Sequence, residues 1–61
     1  MRILIEIDCD GAAFDGDSLP VEVGLILGSL RETIRRCEYI PSPYALTDTN
    51  GNRCGTLRVE G

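Results

Sequence analysis

An α+β fold in the order strand, helix, strand, strand is predicted by three features of the sequence. Ile3, Ile5 and Ile7 alternate with polar neighbours at the two-residue period of a half-buried strand. Val23, Ile26, Leu27, Leu30, Ile34 and Cys37 recur three or four apart, which draws one apolar stripe down a helix. Asn50-Gly51 then separates two strand-like runs and marks a hairpin. One domain of β-α-β-β order satisfies all three: a three-stranded antiparallel sheet with one helix packed on one face. The last strand is expected between the other two.

The first strand is expected over residues 2–9. Its β-branched isoleucines suit a pleated surface. Arg2, Leu4, Glu6 and Asp8 point to the opposite face, and Cys9 continues the apolar one. Residues 10–18 read as a loop, because Gly11, Gly16, Asp10, Asp15 and Asp17 favour turn geometry. Phe14, the chain's one phenylalanine, is expected to anchor that loop on the core.

The helix is expected over residues 19–38. Asp17 or Ser18 serves as N-cap, and Pro20 falls in the first turn, where its missing N–H costs nothing. Glu22 near the start and Arg35 and Arg36 near the end suit the helix dipole. Ile40-Pro41-Ser42-Pro43 forces extended chain. A hairpin over residues 44–59 follows. Centred on Asn50-Gly51, it sets Asp48 opposite Arg53, Thr47 opposite Cys54, Leu46 opposite Gly55 and Tyr44 opposite Leu57. A Gly51-Asn52 centre is the competing register.

Composition excludes several kinds of chemistry. The 61 residues contain no His, Lys or Trp. A Ser-His-Asp triad, a Cys-His pair and a His-ligated zinc are therefore absent. Three cysteines without His lack an activating base, and so short a chain has little room for a substrate cavity. The chain is read as a non-enzyme without cofactor. Cys9, Cys37 and Cys54 show no C-x-x-C spacing and are expected to be free thiols of a cytoplasmic protein. A cysteine-mediated dimer is the alternative. No apolar run approaches membrane-spanning length, and no signal-peptide core is apparent.

Charge is unevenly distributed. The net charge is −4. Residues 1–22 hold Glu6, Asp8, Asp10, Asp15, Asp17 and Glu22 against Arg2 alone. This imbalance argues against direct binding of nucleic acid and favours a basic protein surface as partner. A calcium loop starting at Asp8 fits poorly: Ala12, Ala13 and Leu19 stand where a ligand, Gly and Glu belong. No metal site is assigned. Gly24 and Gly28 within the helix suggest close packing there, by the chain's own sheet or loop or by a partner. Leu25 falls opposite the core stripe. Leu4, with Thr47, Thr56 and Arg58, is expected on the uncovered sheet face.

The ends of the pattern resemble a known group. Ile5-Glu6-Ile7-Asp8-Cys9-Asp10-Gly11-Ala12-Ala13-Phe14 is similar to the I-x-I-D-x-D-N-A-A-F opening of very small bacterial and prophage proteins. Asp48-Thr49-Asn50-Gly51-Asn52-Arg53-Cys54-Gly55 is similar to their D-x-N-G-N-x-V-G ending. Gly11 replaces Asn, and Cys54 replaces Val. The resemblance implies origin on a phage or mobile element and assigns no catalytic residue. By class analogy it implies an anti-CRISPR-like inhibitor of a host defence complex, with a Cas protein subunit as partner. Glu6, Asp8, Asp10, Asp15 and Asp17 are the expected contact residues, with Leu25 as an apolar contact. The alternative is a small structural module that forms a homodimer through the open sheet face or an edge strand.

Overall fold

In a computed structural model covering Met1–Gly61, strand β1 runs over Arg2–Ile7, followed by a 3-10 turn at Ala12–Phe14. Helix α1 spans Ser18–Arg36. Strands β2 (Tyr44–Thr47) and β3 (Arg53–Glu60) complete the chain. The three strands form one antiparallel sheet in the order β1-β3-β2. The predicted β-α-β-β fold, with the last strand central, is the observed one.

The core lies between α1, the sheet and the β1–α1 connection. Phe14, Ile26, Leu30, Leu46, Cys54 and Leu57 are its buried members. Phe14 anchors the connection, as its position among turn residues predicts. Val23, Ile34, Tyr44 and Val59 pack around this nucleus, half-buried.

Several expected boundaries shift. β1 ends at Ile7 rather than Cys9, although the Asp8 N–H still donates to the Cys54 carbonyl at 2.6 Å. The loop predicted for 10–18 holds the 3-10 turn. The helix ends at Arg36, which leaves Cys37 outside it with an extended backbone and an exposed side chain. The Asp17 side chain makes no capping hydrogen bond. Asp17 has no capping bond to contribute and keeps only its charge near the positive end of the helix.

Leu27 departs from the expected core and is 42% exposed. The cause is helix placement. The helix runs nearest β2 and the 3-10 turn rather than β1. Leu25 and Ser29 turn toward β2 beside Thr47 and Thr49. Val23, Leu27 and Ile34 lie on the opposite flank of the stripe, by helical spacing, and Leu27 is the one furthest from the buried Ile26 and Leu30. The expected close packing at Gly24 and Gly28 is also absent within the chain: a methyl group at either would meet nothing within 4 Å.

The hairpin corrects the predicted turn. Its tip is Asp48–Asn52, closed by the Asp48 N–H donating to the Asn52 carbonyl at 2.9 Å. The Gly51 N–H donates to the Asp48 carbonyl at 3.0 Å, so Thr49 and Asn50 are the central pair. Gly51 then takes φ +83°, while no non-glycine residue has positive φ. An Asn50-Gly51 centre of the primed type would need positive φ at both. Thr47 pairs with Arg53 rather than Cys54, and Asp48 does not face Arg53. Cys54 forms a bulge there, after which the expected pairs Leu46–Gly55 and Tyr44–Leu57 hold. The bulge turns Cys54 inward beside the core.

Candidate functional site

The predicted contact residues fall into three environments. Asp8, Asp10, Asp15 and Asp17 lie in the connection between β1 and α1, all exposed. Glu6 stands on the sheet face away from the helix. Leu25 is exposed on the β2 flank of α1, beside Glu22, Ser29 and Thr49.

Carboxylate pairing separates these groups further. Glu6 accepts from Arg58 at 3.1 Å, Glu60 from Arg2 at 3.1 Å, and Glu32 from Arg31 and Arg35 at 3.5 and 3.4 Å. Asp8, Asp10, Asp15 and Asp17 take no ion pair. The structure brings Asp8 and Asp10 within hydrogen-bonding reach of each other. A side-chain hydrogen bond from Asp8 and its charge raise the Asp10 carboxyl above its ordinary 3.8. Two acids held this closely repel while both are ionised, and an approaching cation relieves that repulsion.

Glu22 and Asp48, by contrast, are structural. Both are buried, and both hold the hairpin tip. Glu22 accepts from the Thr49 N–H at 2.8 Å and the Thr49 hydroxyl at 2.9 Å. Asp48 Oδ1 accepts from the Asn50 and Asn52 N–H groups, each at 2.9 Å. Reading Glu22 only as a charge near the helix start missed this role. Its place near the buried Ile26, one helical turn on, was the available signal.

The segments 5–14 and 48–55 meet in space. Ile7 pairs with Gly55, and Gly11 lies against the Asp48 carboxylate. A methyl group at Gly55 would overlap the Glu6 carbonyl oxygen. Asp8, Asp10, Gly11, Phe14, Asp48, Asn52, Arg53 and Cys54 line one shallow hollow between the segments. Packing and turn geometry account for Phe14, Asp48, Gly51 and Gly55, whereas Asp8, Asp10, Asn50 and Asn52 keep exposed side chains.

No group of three or more His, Cys, Asp and Glu side chains is arranged to hold a metal ion. No helix is long and apolar enough to cross a membrane. Fold and surface together define a small α+β unit with an open sheet and an acidic end. No family model, curated protein or solved structure matches the chain.

Proposed function

We propose that this chain is a non-catalytic, anti-CRISPR-like inhibitor carried by a phage or mobile element. It occupies a basic, nucleic-acid-binding surface of a host defence nucleoprotein complex, with a Cas subunit as the partner. The carrying observation is the set of four exposed carboxylates at Asp8, Asp10, Asp15 and Asp17, none of which takes an ion pair within the chain. Arg and Lys that grip phosphate pair equally with carboxylate. A one-signed end steers approach to such a surface. Glu6 contributes less to this reading, because Arg58 already neutralises it.

The test is capture of partners by tagged protein from a lysate containing CRISPR–Cas and restriction systems. Recovery of a nucleic-acid-binding subunit, lost at high salt, is the expected result. The variant with Asn at positions 8, 10, 15 and 17 is expected to lose at least about tenfold in affinity. Undiminished binding by that variant rejects the acidic surface as the contact.

A further inference from the structure

The sheet has one long open edge. β1 is an edge strand, and it carries no Pro, Lys or bulge to block a neighbour. The other edge, β2, is four residues long and follows Pro43 directly.

Hydrogen-bond parity assigns the free groups of β1. The Asp8 N–H bonds to β3 through Cys54. Antiparallel alternation then turns the main-chain groups of Arg2, Leu4 and Glu6 toward β3 as well. The N–H and C=O groups of Ile3 and Ile5 point to the open edge.

The side chains of these same residues are only half-covered. Ile3 pairs with Val59 and Ile5 with Leu57, so both side chains stand on the helix face of the sheet. Ile3 is nonetheless 46% exposed and Ile5 44%. Leu27 on the helix is also half-exposed, at 42%.

We propose that two copies of this chain join β1 to β1, antiparallel about a twofold axis at Leu4, into one six-stranded sheet. The sequence Arg2-Ile3-Leu4-Ile5-Glu6 is self-complementary in this register. Arg2 faces Glu6 of the second copy, Ile3 faces Ile5, and Leu4 faces Leu4. Each Ile3–Ile5 pair exchanges both its N–H···O=C bonds, which uses the free edge groups. Sliding the register to centre on Ile5 sets Leu4 against Glu6 and loses the charge match. On the outer face, the Arg2–Glu60 and Glu6–Arg58 pairs extend into a row of alternating charge across the junction. On the inner face, the half-exposed Ile3 and Ile5 side chains of both copies meet and cover one another. The axis places the two acidic connections at opposite ends of the doubled sheet.

This inference stands apart from the inhibitor reading, because its variants leave Asp8, Asp10, Asp15 and Asp17 unchanged. Sedimentation equilibrium on the full chain is expected to move from 6.7 kDa toward twice that mass as concentration rises to about 1 mM. Amide hydrogen exchange reads the interface directly. Ile3 and Ile5 should gain protection as concentration rises, while Leu4 and Glu6, bonded to β3, stay protected throughout. Arg2→Glu alone and Glu6→Arg alone should each weaken association about tenfold, and the double variant should recover it. Loss of the pairs within one chain cannot mimic that recovery, since the double variant breaks both of them. A mass that stays at 6.7 kDa overturns the proposal. So does a dimer whose Ile3 and Ile5 amides exchange freely, or a double variant no better than the singles.

Discussion

Glu22 on α1 accepts two hydrogen bonds from Thr49 at the hairpin tip, one from its backbone N–H and one from its hydroxyl. The carboxylate is 5% exposed, so the pair ties helix to hairpin across the edge of the core. Charge-assisted bonds to a buried carboxylate are among the stronger polar contacts in a small domain. Glu22→Ala leaves the Thr49 N–H without its acceptor and should cost about 2 kcal/mol. Thr49→Val removes only the hydroxyl bond and should cost about 1 kcal/mol. Thermal denaturation of both variants and their combination checks this. The double variant should lose less than the sum of the singles, because the two share one contact. Strict additivity would place Glu22 and Thr49 in separate roles.

Gly24 and Gly28 offer the opposite case. Both lie inside α1, are exposed, and would meet nothing with an added methyl group. A glycine in a helix interior costs about 1 kcal/mol relative to alanine. Gly24→Ala and Gly28→Ala should each stabilise the protein by about that amount and add independently in chemical denaturation. Stability gained together with a lost interaction would identify this helix face as a contact surface. Stability lost would mean that these glycines pack against something within the fold.

Two other glycines should not tolerate the same change. Gly51 holds φ +83° at the hairpin tip, a conformation that costs a residue with a side chain about 1–2 kcal/mol. At Gly55 an added carbon would collide with the Glu6 main chain, so β1 would have to move away from β3. Denaturation midpoints should fall for Gly51→Ala and further for Gly55→Ala. Asn50→Ala should leave stability within about 0.5 kcal/mol, because Asn50 is central to the turn without needing positive φ. A loss at Asn50 as large as the one at Gly51 would restore the turn centre that the Asn-Gly pair suggests, since that turn needs positive φ at both.

The hairpin also indicates what the sequence could and could not convey. Periodicity in Ile3, Ile5 and Ile7, the stripe through Ile26 and Leu30, and the Asn50-Gly51 signal were enough for the topology. The pairs Leu46–Gly55 and Tyr44–Leu57 were legible for the same reason. The tip was not, because two irregularities offset each other. The Gly51 turn shifts the pairing by one residue, and the Cys54 bulge shifts it back. Neither leaves a mark in the alternation of apolar residues. Leu27 was misassigned because a helical stripe states which side faces inward, not which strands lie beneath it. The buried tie from Glu22 to Thr49 was not legible because a count of charges does not say which are buried. The exposed aspartates at 8, 10, 15 and 17 were legible as loop residues. Their lack of ion pairs, in contrast to Glu6, required the structure.

The Asp8–Asp10 pair should be visible in solution. The raised Asp10 carboxyl means that the folded protein holds its proton at a pH where the unfolded chain has released it. The folded state is therefore favoured as pH falls toward the ordinary value of 3.8, and that increment is lost as pH rises through the raised value. Carbon-detected titration of the side-chain carboxyls should place Asp10 above that value, and Asp8→Asn should bring it down by removing the neighbouring charge. An Asp10 that titrates normally in the wild type would separate the two side chains.

Burial pushes the Cys54 thiol above its ordinary 9.0, with Asp48 adding to the effect, whereas Cys9 and Cys37 are exposed. The thiolate is the reactive form, so a buried, protonated Cys54 should be inert in the folded protein. A thiol reagent at neutral pH should label Cys9 and Cys37 promptly and reach Cys54 only on unfolding, with mass spectrometry counting the labels. The same shift predicts an alkaline weakness. Unfolding releases the Cys54 proton once pH exceeds the unfolded value near 9.0, so this group's contribution is complete below that pH and declines above it. Denaturation midpoints compared between wild type and Cys54→Ala across pH 7 to about 10.5 isolate that slope. Prompt labelling of all three thiols would place Cys54 outside the core and remove the basis for the Cys54 bulge that sets the β2–β3 register.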